Sequence, residues 1–345
     1  MSRLRVFVAG DAMTVSALAS SLMSTTASIA PLAANAAGRP HRVDVRSCIR
    51  AAVAPSDAQL ARLAVTALID EAQLTPKPAL VDRRSSGAHR DLDLAAMLRS
   101  AHALEPTFAA LARTARGRAP SAALRSELAQ IGRAGEHAML LATGGSNAHR
   151  GAIWIVGLLV AGAAIHSAQS DLEANTLNAH AAPICSLAAQ IACFPDRFAV
   201  AIDSNGERVR QRYRVGGARR EAQDGFPHVV DIGLPALVAA RQRGIDEDAA
   251  RLDTLLAIMA SLDDTCLLHR AGLPGLHAGR TGASRVLALG GSSTTPGRAA
   301  LAALEHTLLS LNASPGGAAD LLAATLFIDS LMRQDIDRST TAWNI

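Results

Sequence analysis

Aromatic residues are scarce in this chain of 345 residues, because Phe, Trp and Tyr together make up only 3% of it. The stacking platforms with which many proteins hold single-stranded nucleic acids are therefore missing. The formal net charge is a modest +4 and the basic residues are dispersed along the sequence, so a groove for a polyanion is not indicated either. We expect small anionic ligands and no nucleic-acid partner.

Common catalytic and cofactor motifs are absent as well. The sequence contains no HExxH, GxSxG, GxxxxGK(S/T) or GxGxxG pattern. These absences argue against a zinc protease, an α/β-hydrolase, a P-loop protein and a simple dinucleotide-binding protein.

Paired cysteines and long apolar runs are missing too. The longest uncharged apolar run, residues 152–165, has fourteen residues and is shorter than the roughly 18–20 that cross a bilayer. It predicts a buried core helix and no membrane partner. The cysteines are widely spaced, without a CxxC pair, which favours reduced thiols in a cytoplasmic protein over a zinc site or a disulfide framework; they are Cys48, Cys185, Cys193 and Cys266.

The sequence is rich in alanine and leucine, and hydrophobic residues make up 49% of it. This composition favours helix over sheet. Ser56 and Ser121 each precede apolar residues at helical spacing and are predicted to cap helices. No fixed-period repeat or low-complexity linker interrupts residues 56–335. The predicted fold class is therefore all-α, with one large multi-helix catalytic domain over residues 56–345.

Residues 1–55 are predicted to form a poorly ordered N-terminal extension. Arg3, Arg5 and a following Ala/Ser/Leu-rich run have some features of a secretory signal, as does the small-residue site at residues 34–36. Asp11 interrupts the apolar stretch, however. An extension, or a start codon placed too far upstream, fits this composition better.

The most highly charged segment, residues 74–93, lies between two predicted helices. Pro76, Pro78 and Gly87 exclude a continuous helix, so the segment is predicted to be a rigid charged loop, the kind of element on which binding and catalytic groups are mounted. Similar cationic segments with glycine occur at other helix junctions. Helix N-termini with nearby cations bind anions, and Mg²⁺ can bridge a polyphosphate to carboxylates. The residues alone therefore indicate an all-helical protein that binds an anionic small molecule.

Six motifs resemble the triphosphoribosyl-dephospho-CoA synthase family. They are LTPKPALVDR, GAHRDLD, ATGGSNAHRGAIW, GARREAQDGFP, DTCLLHRAG and SPGGAADLLAATLF, and they follow one another between residues 60 and 331. The resemblance implies an all-helical enzyme that transfers the triphosphoribosyl group of ATP to the 2′-hydroxyl of 3′-dephospho-CoA and releases adenine. The product would be the prosthetic-group precursor of malonate decarboxylase or citrate lyase, which links the enzyme to an acyl-carrier subunit and its prosthetic-group transferase. Two of the motifs look more like the malonate decarboxylase branch.

The implied reaction needs three kinds of group. An oxocarbenium-like transition state needs nearby carboxylates, the attacking hydroxyl needs a base, and the triphosphate needs cations. We predict that Asp82 or Asp91 is the base or the oxocarbenium stabiliser, and that Glu71 and Asp93 hold Mg²⁺. Further carboxylates occur in the later motifs at Glu221, Asp264 and Asp320. The residues predicted to bind the nucleotide and its phosphates are Lys77, Arg83, His89, Arg90, Asn147, His149, Arg150 and Arg219.

Two other functions use the same residue types. A helical N-glycosyl hydrolase would act on a nucleotide with water as the acceptor. A non-enzymatic nucleotide- or CoA-binding protein, such as a chaperone for an acyl-carrier subunit, would only bind the anion. Carboxylates clustered beside cations weaken anion binding unless a metal intervenes, which argues against the second alternative.

Overall fold

A computed structural model describes the backbone of residues 54–170, 181–199 and 205–342. In these residues the secondary structure is helical and there is no strand. All of them belong to one compact unit, Ser47–Ile345. The prediction of an all-α domain is confirmed. The predicted N-terminal extension, residues 1–55, lies almost entirely outside the described residues.

The helices follow one another with short connections, apart from the long charged loop after the first helix. A π-helical turn at His228–Gly233 leads directly into α9. The bounds are α1 Asp57–Gln73, α2 Leu94–Ala103, α3 Glu105–Ala115, α4 Ala122–Ala142, α5 Arg150–Ser170, α6 Ala181–Cys193, α7 Asn205–Tyr213, α8 Gly217–Gln223, α9 Leu234–Gln242, α10 Glu247–Ser261, α11 Thr265–Ala288, α12 Thr295–Ser310 and α13 Gly316–Ala342.

The predicted caps set the first helix boundaries. The Ser56 hydroxyl accepts the backbone N–H of Gln59, and the Gln59 side chain accepts the N–H of Ser56 in return, which forms a capping box. Ser121 caps α4 in the same way by accepting the N–H of Leu124. Pro106 separates α2 from α3 and occupies the first turn of α3, where its missing N–H removes no helical bond.

Helix α5 occupies the core and packs against α3, α6 and α13. Its segment Arg150–Ala168 is long and apolar enough to cross a membrane, but 78% of this window is buried inside the protein. The prediction of a buried core helix is confirmed. Because α5 is central, its first turn is held rigidly against the starts of other helices.

Two short polar segments also begin helices. Asn205–Tyr213 forms α7. The segment after α10 begins α11, because the Asp264 carboxylate accepts the N–H groups of Cys266 and Leu267 and caps the new helix.

Candidate active site

A cleft of about 770 Å³ is surrounded by the N-terminal ends of three long helices. The first residues of α5, α11 and α13 line it, together with the charged loop. Helix N-termini carry partial positive charge and unpaired N–H groups, which favours anionic ligands. The volume lies in the range of about 300–1,000 Å³ that is typical of small-molecule sites.

A buried ion pair forms part of the cleft wall. The ammonium of Lys77 donates to Glu71 Oε1 and to the Glu71 carbonyl oxygen, both at 2.6 Å. The residues are only 1% and 4% exposed, respectively. The sequence predicted Lys77 as a phosphate ligand and Glu71 as a metal ligand. The structure brings both into the cleft and pairs them with each other.

Two further carboxyl groups, that of the buried Asp264 and that of the partly exposed Asp320, line the same cleft. Asp264 accepts three backbone N–H groups, from Cys266, Leu267 and Ala318, and Asp320 accepts the N–H of Ala152. Burial raises the pKa of both groups. The negative charges of Glu71 and Asp264 raise the pKa of Asp320 further. A carboxyl group with a raised pKa is suited to proton transfer near neutral pH.

Gly151, in the first turn of α5, allows the Asp320 carboxylate to lie directly against this helix. A Cβ atom at this position would overlap Asp320 Oδ2, so that one of the two must move. Replacing Gly151 with Ala is expected to lower turnover about 10²-fold, because displacing a reacting group by about 1 Å can cost that much. Gly206→Ala is the matched control, because Gly206 also lines the cleft but has open space around it. Equal turnover of the two variants would contradict the importance of the Asp320 position.

His149 presents an unsatisfied ring nitrogen in the cleft wall. The residue is 2% exposed, its Nδ1 lies 2.7 Å from Ser100 Oγ, and its Nε2 has no hydrogen-bond partner among the described residues. No other described acceptor takes the Ser100 hydroxyl hydrogen, so we assign this hydrogen to Nδ1. The proton of the neutral ring then sits on Nε2, where it can be donated to a bound molecule.

Burial and the charge of Lys77 lower the pKa of His149 to about 4. An unfolded chain has a histidine pKa of about 6.5. Between these values the unfolded state binds more protons, so stability falls as the pH is lowered through this range. His149→Gln should reduce this slope by up to about 1.4 kcal/mol per pH unit, measured by denaturant unfolding between pH 4.5 and 6.5. Identical slopes for the wild type and this variant would contradict the burial of a neutral His149.

His89 and Arg270 form another part of the cleft wall, in which Arg270 carries the positive charge. Arg270 donates to the Ala88 carbonyl oxygen and to His89 Nδ1, and His89 Nε2 lies 2.9 Å from Ser314 Oγ. Burial, together with the Arg270 charge, lowers the pKa of His89 to about 4. The neutral His89 therefore orients Arg270 and ties the charged loop to the residues before α13. Arg270 has no carboxylate partner among the described residues, which leaves its charge available to an anion.

The sequence-predicted site residues divide into two groups. Asp91 reaches the cleft with an exposed side chain, and Asn147 caps α5 by accepting the Arg150 N–H. The predicted residues that line the cleft are Glu71, Lys77, His89, Asp91, Asn147, His149 and Arg150. The predicted residues that do not line it are Asp82, Arg83, Arg90, Asp93 and Arg219.

Asp82 and Asp93, which were predicted to be catalytic and metal-binding, make local hydrogen bonds outside the cleft. The buried Asp82 carboxylate accepts the backbone N–H groups of Lys77, Arg84 and Ser85, and so organises the charged loop. Asp93 caps α2 by accepting the N–H of Ala96. In both cases backbone donors close to the carboxylate in sequence hold it away from the cleft.

The predicted cations outside the cleft are exposed. The guanidinium of Arg83 donates to Gln73 Oε1, and Arg90 and Arg219 also lie at the surface. Arg219 is near Arg125, on another side of α5. The motifs indicate that these arginines lie near helix junctions. A motif does not give the direction in which each side chain points.

The site prediction left out Arg270 and gave Asp264 and Asp320 no specific role. Signals for all three were present, because DTCLLHRAG and SPGGAAD place a carboxylate or an arginine beside a helix start. Glu221, in a third motif, also lines the cleft and accepts the N–H and Nδ1–H groups of His228. Cys266 also lines the cleft, and burial raises its pKa well above the usual range.

In the described residues no group of three or more His, Cys, Asp or Glu side chains is arranged to hold a metal ion by itself. Mg²⁺, however, is commonly bound by one or two carboxylates together with substrate phosphates. Glu71 meets this weaker requirement. Lys77 occupies its Oε1, and no described residue donates a hydrogen bond to its Oε2.

Comparisons with known proteins show which family the chain resembles. The sequence model of the family described as ATP:dephospho-CoA triphosphoribosyl transferase matches residues 57–339. A Klebsiella pneumoniae protein named 2-(5''-triphosphoribosyl)-3'-dephosphocoenzyme-A synthase is 53% identical over 270 residues, which cover 78% of this chain and 93% of that protein. An Azotobacter vinelandii protein named "Probable 2-(5''-triphosphoribosyl)-3'-dephosphocoenzyme-A synthase" is 56% identical over 275 residues, 79% of this chain and 91% of its own length.

No solved structure matches the chain. The family match covers well over half of the sequence, and the relatives align along nearly their whole length. This chain therefore belongs to the ATP:dephospho-CoA triphosphoribosyl transferase family, and it is a transferase.

Proposed function

We propose that this enzyme transfers the triphosphoribosyl group of ATP to the 2′-hydroxyl of 3′-dephospho-CoA and releases adenine. The observation that carries the proposal is the cleft itself, where buried carboxyl groups face a region bounded by helix N-termini and by an unpaired arginine. A nucleoside triphosphate needs this combination if its glycosidic bond, and not a phosphate ester, is the bond that breaks. The family and the printed names of its relatives support the same substrates.

The reaction moves one proton overall. The bond between the ribose anomeric carbon of ATP and adenine N9 breaks, and a bond from that carbon to the 2′-oxygen of dephospho-CoA forms. The proton of the attacking hydroxyl leaves with adenine. The protein must therefore accept a proton on one side of the sugar, donate one on the other and stabilise positive charge between them.

We assign these tasks to the groups that line the cleft. Asp320, with its raised pKa, exchanges the proton of the attacking hydroxyl, and the nearby Glu71 carboxylate stabilises the positive charge on the sugar. His149 stabilises the departing adenine with a hydrogen bond from its neutral Nε2–H, and adenine takes up its proton from solvent while Asp320 returns the proton of the hydroxyl to solvent. Asp91 remains a candidate for the base from its exposed position in the cleft, whereas Asp82 is held in the charged loop.

The triphosphate would bind at the cationic part of the wall. Arg270 carries the unpaired charge, and Arg150 adds a second guanidinium that is half-exposed and 3.2 Å from Glu136. The N–H groups at the starts of α5 and α13 add further donors. Glu71 would be the residue that holds Mg²⁺ when it accompanies ATP, and the ion would then neutralise phosphate charge.

Adenine release measured by chromatography tests this function. ATP and Mg²⁺ are supplied with 3′-dephospho-CoA, with CoA or with no acceptor. We expect release only with dephospho-CoA, together with a product whose mass has increased by triphosphoribose. Release without an acceptor would identify a nucleotide hydrolase, and binding of ATP without release would identify a binding protein; either result would overturn the proposal.

We further propose that the product serves malonate decarboxylase rather than citrate lyase and that the enzyme works in the cytoplasm. The PKPALVDRR and ATGGSNAHRGAIW segments support this branch. The enzyme would then act together with the prosthetic-group transferase of the acyl-carrier subunit. Deleting the gene should abolish malonate decarboxylase activity in the cell and leave any citrate lyase activity intact, and the reverse pattern would contradict this assignment.

A further inference from the structure

A second cavity, of about 140 Å³, lies beside α5 on a different face of this helix from the cleft. Gly151 and Ile155 of α5 line the cleft, whereas Trp154 and Gly157 line this cavity together with residues of α4. A cavity of about 150 Å³ can hold a molecule of six heavy atoms such as benzene. The second cavity therefore has room for a small ligand.

Arg125 of α4 is a buried cation without a hydrogen-bond acceptor. It is 8% exposed, it lines the cavity, and no described residue accepts a hydrogen bond from its guanidinium. Its guanidinium carbon lies 4.8 Å from the ring centre of Trp154. Burial lowers its pKa, and the charges of Arg219 and Arg133 act in the same direction. A buried arginine is normally paired, because an unpaired buried charge is costly.

The acids around the cavity are already paired with other arginines. Asp196 accepts a 2.6 Å hydrogen bond from Arg133, and Glu136 is 3.2 Å from Arg150. These pairs leave the charge of Arg125 uncompensated by any ion pair in the described residues. Asp196 attracts Arg125 only at longer range. The cavity therefore carries local positive charge together with free N–H donors.

We propose that this cavity is a second ligand site, distinct from the active cleft, that binds a small oxyanion through the Arg125 guanidinium. The planar guanidinium suits a phosphate or a carboxylate, because both can accept two parallel N–H bonds. Trp154 fixes the plane of the guanidinium from one side. Glu136, which lines the cavity, also contacts Arg150 of the cleft.

Fluorescence of Trp154 gives a direct test. The chain has two tryptophans, Trp154 and Trp343, so Trp343→Phe leaves Trp154 as the single reporter. Inorganic phosphate is titrated while chloride keeps the ionic strength constant. We expect a saturable change in Trp154 fluorescence, with half-saturation at about 1 mM phosphate. Acetate is titrated in parallel to represent carboxylates. Saturation by either oxyanion supports the site, and no saturable response to both would overturn it.

Three further substitutions, each made in the Trp343→Phe background, decide where the anion binds. Arg125→Met should abolish the response, and Arg125→Lys, which keeps the charge but not the planar fork, should weaken it at least tenfold. Arg270→Gln removes the unpaired cation of the cleft and should leave the response unchanged. Loss of the response in Arg270→Gln with retention in Arg125→Met would place the anion in the cleft and overturn the proposal.

Thermal stability separates a binding role of Arg125 from a structural one. If Arg125 serves only to bind a ligand, its unpaired buried charge destabilises the free protein. Without phosphate, Arg125→Met should therefore melt at the same temperature as the wild type or at a higher one. Phosphate should raise the melting temperature of the wild type and not that of the variant. A lower melting temperature for the variant in both conditions, with no phosphate effect on the wild type, would show a structural arginine.

Discussion

Replacing Asp320 with Asn is expected to lower the rate of adenine release about 10³-fold while leaving the fold at least as stable. Proton transfer by a positioned side chain accelerates a reaction about 10²–10⁴-fold, and the side-chain amide of Asn cannot accept the proton. Burial and the neighbouring carboxylates raise the pKa of Asp320 in the folded protein, so keeping it ionised near neutral pH opposes folding. The amide removes this cost and can still accept the N–H of Ala152.

The matched control is Asp263→Asn, the same substitution at an exposed carboxylate that also lines the cleft and pairs with Arg280. Turnover and melting temperature are measured for both variants, and the Asp263 variant should keep turnover within about threefold. Activity is also measured across a range of Mg²⁺ concentrations. Wild-type turnover of Asp320→Asn would exclude the proposed proton transfer, and rescue by high Mg²⁺ would make Asp320 a metal ligand instead.

The sequence predicted the fold well because its signals are local. Helix caps such as Ser56 and Ser121 act within four residues, and the apolar run of α5 is long enough to be recognised without tertiary information. The motifs also located the helix junctions around the cleft. Features that depend only on residues within one helical turn of each other could therefore be predicted from the sequence.

The roles of individual polar side chains were harder to predict, because they depend on which donors a carboxylate meets in space. Asp82 and Asp320 are both acidic residues in motifs of this chain. Loop N–H groups surround Asp82, however, whereas Asp320 lies at the start of α13 and accepts the N–H of Ala152 in the cleft wall. The pairing of His89 with Arg270 joins residues 181 positions apart. A contact between residues so far apart in the sequence cannot be predicted from the spacing of residues within one motif.

The Lys77–Glu71 pair illustrates how stability and function are combined at this site. Removing one member of a buried ion pair leaves an uncompensated charge and typically costs about 3–5 kcal/mol. Lys77→Met should therefore lower the free energy of unfolding by about that amount, because both side chains are almost completely buried. Urea unfolding monitored by circular dichroism measures the change. Arg280→Met, which breaks an exposed pair with Asp263, is the control and should cost less than about 1 kcal/mol.

The double variant Lys77→Met/Glu71→Gln separates the two roles. Replacing both members of a buried pair with neutral groups is often close to neutral for stability, so the double variant should recover most of the stability that Lys77→Met loses. It should nevertheless release no measurable adenine, because the carboxylate that stabilises the sugar cation is gone. If the double variant regained turnover along with stability, Glu71 would be only a partner for Lys77. If the single variant lost no more stability than Arg280→Met, the buried ion pair itself would be contradicted.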